Sequence, residues 1–264
     1  MDMTFGKTSN YRPLQWPLNL FMDGNTRVKD LEIYSPRSRF SLRMARYWFA
    51  ASEIDLELLR LAGPATIVDL GCERGITKGF SPERDNVCWI GLDWNITRPE
   101  LLRARYHKMS QCDFDKELPL VSGCADIVVC LHVFEHLPRP EFTVGEIARV
   151  LKPGGLLIAA TPVVPDILER CQEAFYLREF RLGRAKPAGH IKSFSPGRWR
   201  TLIQPRNLRC EMVCGAYLLR WTGNPLENSA WWIRLNQIWG GSFPGMGGEI
   251  FIVARKGQLE KGAA

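Results

Sequence analysis

The sequence has no run apolar enough to cross a bilayer; its most apolar-leaning stretch, Ala125 to Leu137, is broken by Asp126, Glu135 and two histidines. It has no internal repeat and no low-complexity segment, so a repeat array is excluded. The first ten residues carry Asp2 and polar groups instead of a basic stretch followed by an apolar one. A soluble protein of the cytoplasm is therefore the expectation. The eight cysteines include no Cys-x-x-Cys pair, which argues against a zinc site of the usual spacing, and no metal is expected. Cys72, Cys88, Cys112, Cys130, Cys210 and Cys214 fall in or beside apolar runs, where a free thiol packs as a small hydrophobe. Reduced thiols are expected rather than a disulfide frame.

What is present suits one substantial core: 264 residues, 45% hydrophobic and 24% charged. The formal charge is +7, with arginines gathered at Arg37, Arg39, Arg43 and Arg46 and again at Arg178, Arg181 and Arg184 beside Lys186. Such a balance suits an anionic partner, whether nucleic acid, a phosphorylated substrate or a membrane surface. Solvated helix faces explain the same arginines equally well.

In chain order, residues 1 to about 35 read as an irregular arm. From Pro36 a helix is predicted, with Phe40, Met44, Tyr47 and Trp48 on one face. A second helix, Ser52 to Leu61, would open on a serine cap and stop at Gly63-Pro64. Strands are then predicted at Thr66–Leu70, Val87–Asp93, Lys108–Cys112, Ala125–Leu131 and Leu156–Ala160. Between them fall helices at Arg98–Tyr106 and Glu141–Leu151, the latter closed by Lys152-Pro153-Gly154-Gly155. Strands spaced by helices imply a parallel sheet covered on both faces. The last third adds a loop and helix over Pro162–Pro187, a Gly189-His190 turn, a helix from Pro196 to Gln204, and strands at Glu211–Leu219 and Glu249–Ala254. A tryptophan-rich excursion with Trp221, Trp231, Trp232 and Trp239 separates those strands, which fits an antiparallel edge hairpin.

Ile67 to Gly75 is the stretch on which function turns. Asp69 ends the first strand, Gly71 and Gly75 bracket a tight bend, and Glu73 stands where one more glycine is expected. Glycines there permit positive φ and close approach of backbone to a ligand. Asp93 ends the second strand, eighteen residues past Gly75, where a carboxylate takes the hydroxyls of a ribose. Asp113-Phe114 offers an acceptor and an apolar face suited to adenine. Singly, an Asp after a strand is a cap or turn residue; three in this order point to a nucleotide-type crevice.

These motifs resemble those of the class I S-adenosylmethionine-dependent methyltransferases, in particular a bacterial group acting on small molecules of glycan, lipid and quinone pathways. Val68-Asp69-Leu70-Gly71-Cys72-Glu73-Arg74-Gly75, Gly91-Leu92-Asp93, Cys112-Asp113-Phe114 and Ala125 through Leu137 carry the resemblance. So does Glu146-Ile147-Ala148-Arg149-Val150-Leu151-Lys152-Pro153-Gly154-Gly155-Leu156-Leu157-Ile158. It covers Thr66 to Ala160 well and His190 to Lys256 more loosely. It implies an α/β, Rossmann-like, seven-stranded mostly parallel sheet with helices on both faces and an antiparallel edge. Residues 1–63 would form an arm and helices that cap a 64–264 core, with lid-like 162–190 and the insertion 220–248. The implied cofactor is S-adenosyl-L-methionine, held by Asp69, Gly71, Cys72, Glu73, Gly75, Asp93, Trp94, Asp113, Phe114 and Leu131.

Methyl transfer needs placement of an acceptor and, for a hydroxyl, a base. His132, His136 and His190 are the candidates, each alternatively a loop-ordering histidine; His107 has no such context. The implied reaction is O-methylation of a small-molecule, glycan or lipid-linked acceptor. An RNA acceptor and a catalytically weak scaffold are the alternatives, and peripheral membrane contact is open. His132-Val133-Phe134-Glu135-His136 also spells H-x-x-E-H, but a strand runs into the first histidine and Leu137-Pro138 stops any helix after the second. A nicotinamide enzyme would need G-x-G-x-x-G in the first turn, which is absent. No Asn-Pro-Pro-Tyr-like segment follows the fourth strand, which disfavours methylation of an exocyclic adenine amine or of glutamine.

Overall fold

The computed structural model describes residues 45–81, 83–184, 189–216, 218, 226 and 229–258. Seven strands form one sheet: β1 (Ala65–Leu70), β2 (Val87–Asp93), β3 (Lys108–Gln111), β4 (Ala125–Leu131), β5 (Leu151–Thr161), β6 (Leu208–Ala216) and β7 (Glu249–Lys256). Their order is β3-β2-β1-β4-β5-β7-β6. The first five are parallel, and β7 runs antiparallel to both of its neighbours, β5 and β6. The α/β, Rossmann-like expectation holds, with the antiparallel element at the predicted end of the sheet. The order reverses between β1 and β4, so the crevice where an open parallel sheet takes its ligand opens above their carboxyl ends.

Alternate residues of each strand feed two cores. Val68, Val128 and Leu157 face one side, with Phe134, Phe194 and Trp199. Ile67, Ile127 and Ile158 face the other, with Phe49, Ile54 and Trp232. The central strand β4 is buried along its whole length except at Leu131, as its β-branched run implies for a strand covered on both faces.

Seven helices are described: α1 (Ala45–Leu61), α2 (Ile76–Phe80), α3 (Pro99–Ala104), α4 (Pro140–Val150), α5 (Glu169–Arg181), α6 (Pro196–Ile203) and α7 (Ala230–Ser242). Four departures from the sequence reading have local causes. Ser52 caps nothing, because α1 runs through it unbroken and its Phe49, Ile54 and Leu58 bury against the sheet, with Phe49 stacked 4.6 Å from Phe251. Residues 45–61 therefore belong to a layer of the core. The expected Lys152–Gly155 turn is instead the start of β5, where Leu151 pairs with Ala125 across an irregularity in register. The helix expected to reach Tyr106 ends at Ala104, because Arg105 turns into the left-handed region at φ 52°. Strand β6 begins three residues early, at Leu208, drawn into register by Lys256. In the helix expected from Pro36, the residues Arg37, Arg39, Phe40, Arg43 and Met44 lie outside the described residues while Tyr47 and Trp48 fall in α1; Trp221 of the insertion also lies outside them. The first crossover helix is short, because only residues 76–86 separate Gly75 from β2: α2 has five residues.

The insertion is seated by glycines. A Cβ on Gly240 of α7 would lie 2.1 Å from the Gly215 carbonyl oxygen of β6, so helix and strand meet backbone to backbone. Gly240→Ala must push α7 off the sheet and should cost about 1–3 kcal/mol. Gly63→Ala, whose Cβ would meet nothing closer than 3.7 Å, should be near neutral. Thermal melting of the two variants checks this.

Candidate functional site

The bend after β1 is held open by geometry that only certain residues tolerate. Gly71 and Gly75 have φ of 74° and 73°. A Cβ at Gly71 would strike Val133 Cγ2 at 2.4 Å, and one at Gly75 would strike Ala104 Cβ at 2.2 Å. Glu73 also sits at positive φ, 42°, which explains why the pattern calls for glycine there. Its side chain does not fill the crevice: it is half exposed and pairs with Arg98 at 3.1 Å.

Asp93 ties this loop to the tip of β2. One carboxylate oxygen accepts from the Glu73 N–H at 2.9 Å and the other from the Asn95 N–H at 2.9 Å. The carboxylate is buried but keeps lone pairs toward the crevice, since each oxygen accepts more than one bond. Asp113 anchors its own turn by accepting from the Asp115 N–H at 3.0 Å.

Above the strand tips lies a cavity of ≈ 1380 Å³. That exceeds the roughly 300–1,000 Å³ of a site for one drug-sized ligand, so two ligands fit side by side. Gly71, Cys72, Glu73, Asp93, Trp94, Asp113, Phe114 and Leu131 line it, together with His132, His136 and His190. Of the residues singled out from sequence, Asp69 and Gly75 are not in its wall. Asp69 is buried behind the loop, where it accepts a 2.5 Å hydrogen bond from the Tyr106 hydroxyl.

The three histidines separate into different roles. His132, at φ 56°, is wedged between two buried glutamates: its Nδ1 lies 3.0 Å from Glu135 and its Nε2 bonds Glu249. Arg46 braces Glu249 from α1, at 3.0 Å. Burial and Arg46 push the His132 pKa down, but Glu249 and Glu135 outweigh them and the net shift is upward. His132 is thus a strut with both ring nitrogens engaged, its charged form favoured by the two glutamates. His136 contacts the Gly189 carbonyl through Nδ1 at 3.3 Å, which puts its proton there and leaves Nε2 as an acceptor. His190 meets His136 ring to ring at 5.0 Å, and burial lowers its pKa against the opposing pull of Glu135. It is neutral at neutral pH. His107 is exposed and accepts the Trp89 N–H at 3.0 Å, a loop-ordering role.

The H-x-x-E-H run forms only a three-residue turn, Phe134–His136, with its histidines engaged on different partners, so the peptidase geometry is absent. Glu135, His136 and His190 nevertheless bring ligand atoms within 4.8 Å of one another. Sequence reasoning missed Glu135, Glu249, Arg98, Tyr176 and Phe180. Only Glu135 carried a signal, its place between two histidines; Glu249 meets His132 across 117 positions.

Asp69 makes stability depend on pH. Burial raises its pKa from 3.8 to about 7, against the Tyr106 hydrogen bond and with help from the Asp93 charge. The folded state therefore holds a proton that the unfolded state releases, and stability from this group falls as pH rises from about 4 to about 7. Asp69→Asn, which keeps an acceptor for Tyr106, should flatten that slope; melting temperatures of both proteins across the window test it.

A family model described as a methyltransferase domain matches residues 43–213. A ubiquinone biosynthesis O-methyltransferase of Xanthomonas oryzae is 31% identical over 180 residues, covering 62% of this chain and 70% of that protein. Its namesake from Xanthomonas euvesicatoria is 29% identical over 231 residues, covering 76% and 91%. A Mycolicibacterium smegmatis protein named "Probable S-adenosylmethionine-dependent methyltransferase" is 32% identical over 135 residues; the match covers 50% of this chain and 52% of that protein, so the chain spans about half its length. Among solved structures, geranyl diphosphate C-methyltransferase from Streptomyces coelicolor has a TM-score of 0.54 at 14% identity, covering 78% of this chain and 80% of that one. The cyclase SpnF has the same TM-score at 18% identity and covers 86% of each. At these identities the structural likeness shows the fold alone. Taken with the glycine bend, the strand-tip carboxylates and the 43–213 match, the chain belongs to the class I S-adenosylmethionine-dependent methyltransferases.

Proposed function

We propose that the chain transfers a methyl group from S-adenosylmethionine to a hydroxyl of a small-molecule, sugar or lipid-linked acceptor. The observation that carries this is the single cavity joining the Gly71–Glu73 bend, Asp93 and Phe114 at one end to His136, His190 and Tyr176 at the other. The O-methyltransferase names of the Xanthomonas relatives favour oxygen as the acceptor atom.

The donor, when bound, supplies a methyl group already activated on a sulfonium. Asp93 would hold ribose hydroxyls on its remaining lone pairs, Asp113 and Phe114 would frame the adenine, and the bend would admit the amino-acid end. The fit is good: both glycines lack the Cβ that would crowd the bend, and Glu73 turns to Arg98. At the other end, neutral His190 or the free Nε2 of His136 takes the acceptor proton as the carbon–oxygen bond forms. The His132 strut fixes Glu135 beneath them. Catalysis is then mainly placement, with base help of about 10²–10⁴-fold.

Calorimetry should show binding of S-adenosylmethionine, and Asp93→Ala should abolish it. With acceptor in hand, His190→Ala or His136→Ala should cut turnover about 100-fold or more while donor affinity stays nearly unchanged. Because burial lowers the His190 pKa, the acidic limb of the turnover profile should lie below the ordinary histidine range near 6.5. His132→Ala should differ in kind: it strands Glu135, leaves Glu249 to Arg46 alone, and should cost about 3–5 kcal/mol of stability. Absence of any heat with the donor, or full turnover in both His136 and His190 variants, overturns the reading. The 4.8 Å grouping of Glu135, His136 and His190 favours a second reading, in which a divalent cation activates the hydroxyl. Turnover lost to a chelator and restored by Mg²⁺ would select it.

A further inference from the structure

Helix α5 wears its polarity the wrong way round. A surface helix of a globular protein turns its apolar stripe to the core, yet no residue of α5 is buried. The side that meets the body is polar and acidic. Glu169 and Glu173 pair with Arg198, Glu173 accepts the Ser193 N–H at 3.1 Å, and Gln172 accepts the Ser193 hydroxyl at 2.8 Å. The side that meets solvent is apolar and cationic. Of the eighteen exposed large hydrophobic side chains among the described residues, six fall within Ile167–Leu182, including Phe175 at 54% and Leu182 at 50% exposure. Arg170, Arg178, Arg181 and Arg184 are exposed on the same segment, while its glutamates are all drawn at least partly inward.

Scattered exposed hydrophobics need no explanation, but Phe175 and Leu182, seven residues apart, share one outward stripe of the helix with Arg178 beside them. Large apolar groups flanked by arginines, with carboxylates withdrawn, match the composition of a helix lying in a membrane interface. We propose that α5 seats this protein on an anionic lipid surface. Charge selects that occupant: the four arginines complement phospholipid headgroups, and the chain as a whole carries +7. The contact is peripheral, since no described helix is long and apolar enough to cross a membrane. Tyr176 and Phe180 of the same helix also wall the cavity, so on the reading given above seating would turn the cavity mouth toward the bilayer. An acceptor dissolved in lipid would then reach it without crossing water.

The test is sedimentation of the full chain with phosphatidylglycerol–phosphatidylcholine vesicles and with phosphatidylcholine alone. Binding to the anionic vesicles, weakened by salt, is expected. Arg178→Gln and Arg181→Gln should each weaken it about fivefold, and Phe175→Ser with Leu182→Ser at least about tenfold. These side chains face outward, so melting temperatures and calorimetric donor binding should stay unchanged, which keeps this result separate from the proposed activity. No binding, equal binding by all variants, or loss of a self-associated dimer in the variants without any vesicle binding overturns the proposal; the last assigns the face to a second copy.

Discussion

Two fully buried carboxylates, Glu135 and Glu249, set the terms for the floor of the crevice. An unpaired buried charge is far too costly to keep, so each glutamate needs a cation at contact distance. His132 serves both, and Arg46 serves Glu249 as well. The four groups come from α1, the tip of β4, the turn after it and the first residue of β7. Neutralising that cluster fixes those four elements against one another. The turn bearing Glu135 in turn receives the Ile191 and Lys192 N–H groups on its carbonyl, at 2.9 and 3.1 Å. His136 and His190 are therefore placed by the same buried charges, though neither belongs to the strut.

The two ends of the cavity are built by different means. The end proposed for the donor is a matter of backbone: three residues at positive φ in the bend and a carboxylate clamping it to the neighbouring strand. The end proposed for the acceptor is a matter of side chains from distant segments, gathered behind a core of Phe134, Phe194 and Trp199, whose indole N–H donates to Thr161 at 3.0 Å. Packing of that aromatic trio holds residues 193–199 against the end of β5 and gives α5 the polar shelf on which it rests. Fold alone would not specify an acceptor, and the variable end is where such enzymes differ in chemistry.

What the sequence showed and what it hid follow the same division. The bend, Asp93 and Asp113 were legible because each lies within a few residues of the strand that places it, and strand-to-turn patterns are local. Glu249 was not, because its partner lies across the sheet and nothing near it in the chain marks it. Ser52 misled because serine favours a helix start in isolation, whereas burial of Phe49 and Ile54 carries α1 through it. The Lys152–Gly155 run misled in the same way: proline and glycine signal a turn, but pairing of Leu151 with Ala125 makes it extended. The arginines of α5 stood out in the sequence, yet their outward placement emerged only once Arg198 was seen to claim the glutamates.

The place of β7 bears on how the protein comes to exist. It is the last of the seven strands in the chain, yet it lies inside the sheet, between β5 and β6. During synthesis β6 leaves the ribosome without its native partner until the strand after it arrives, while the edge of β5 stands open as well. The first residue of that late strand is Glu249, the counter-ion of His132. The parallel half of the sheet and the glycine bend have all their segments early, while the His132 end of the cavity waits for the final strand to close. Newly made chains thus pass through a stage with β6 unpaired, the stage at which an exposed strand edge is most open to misassembly.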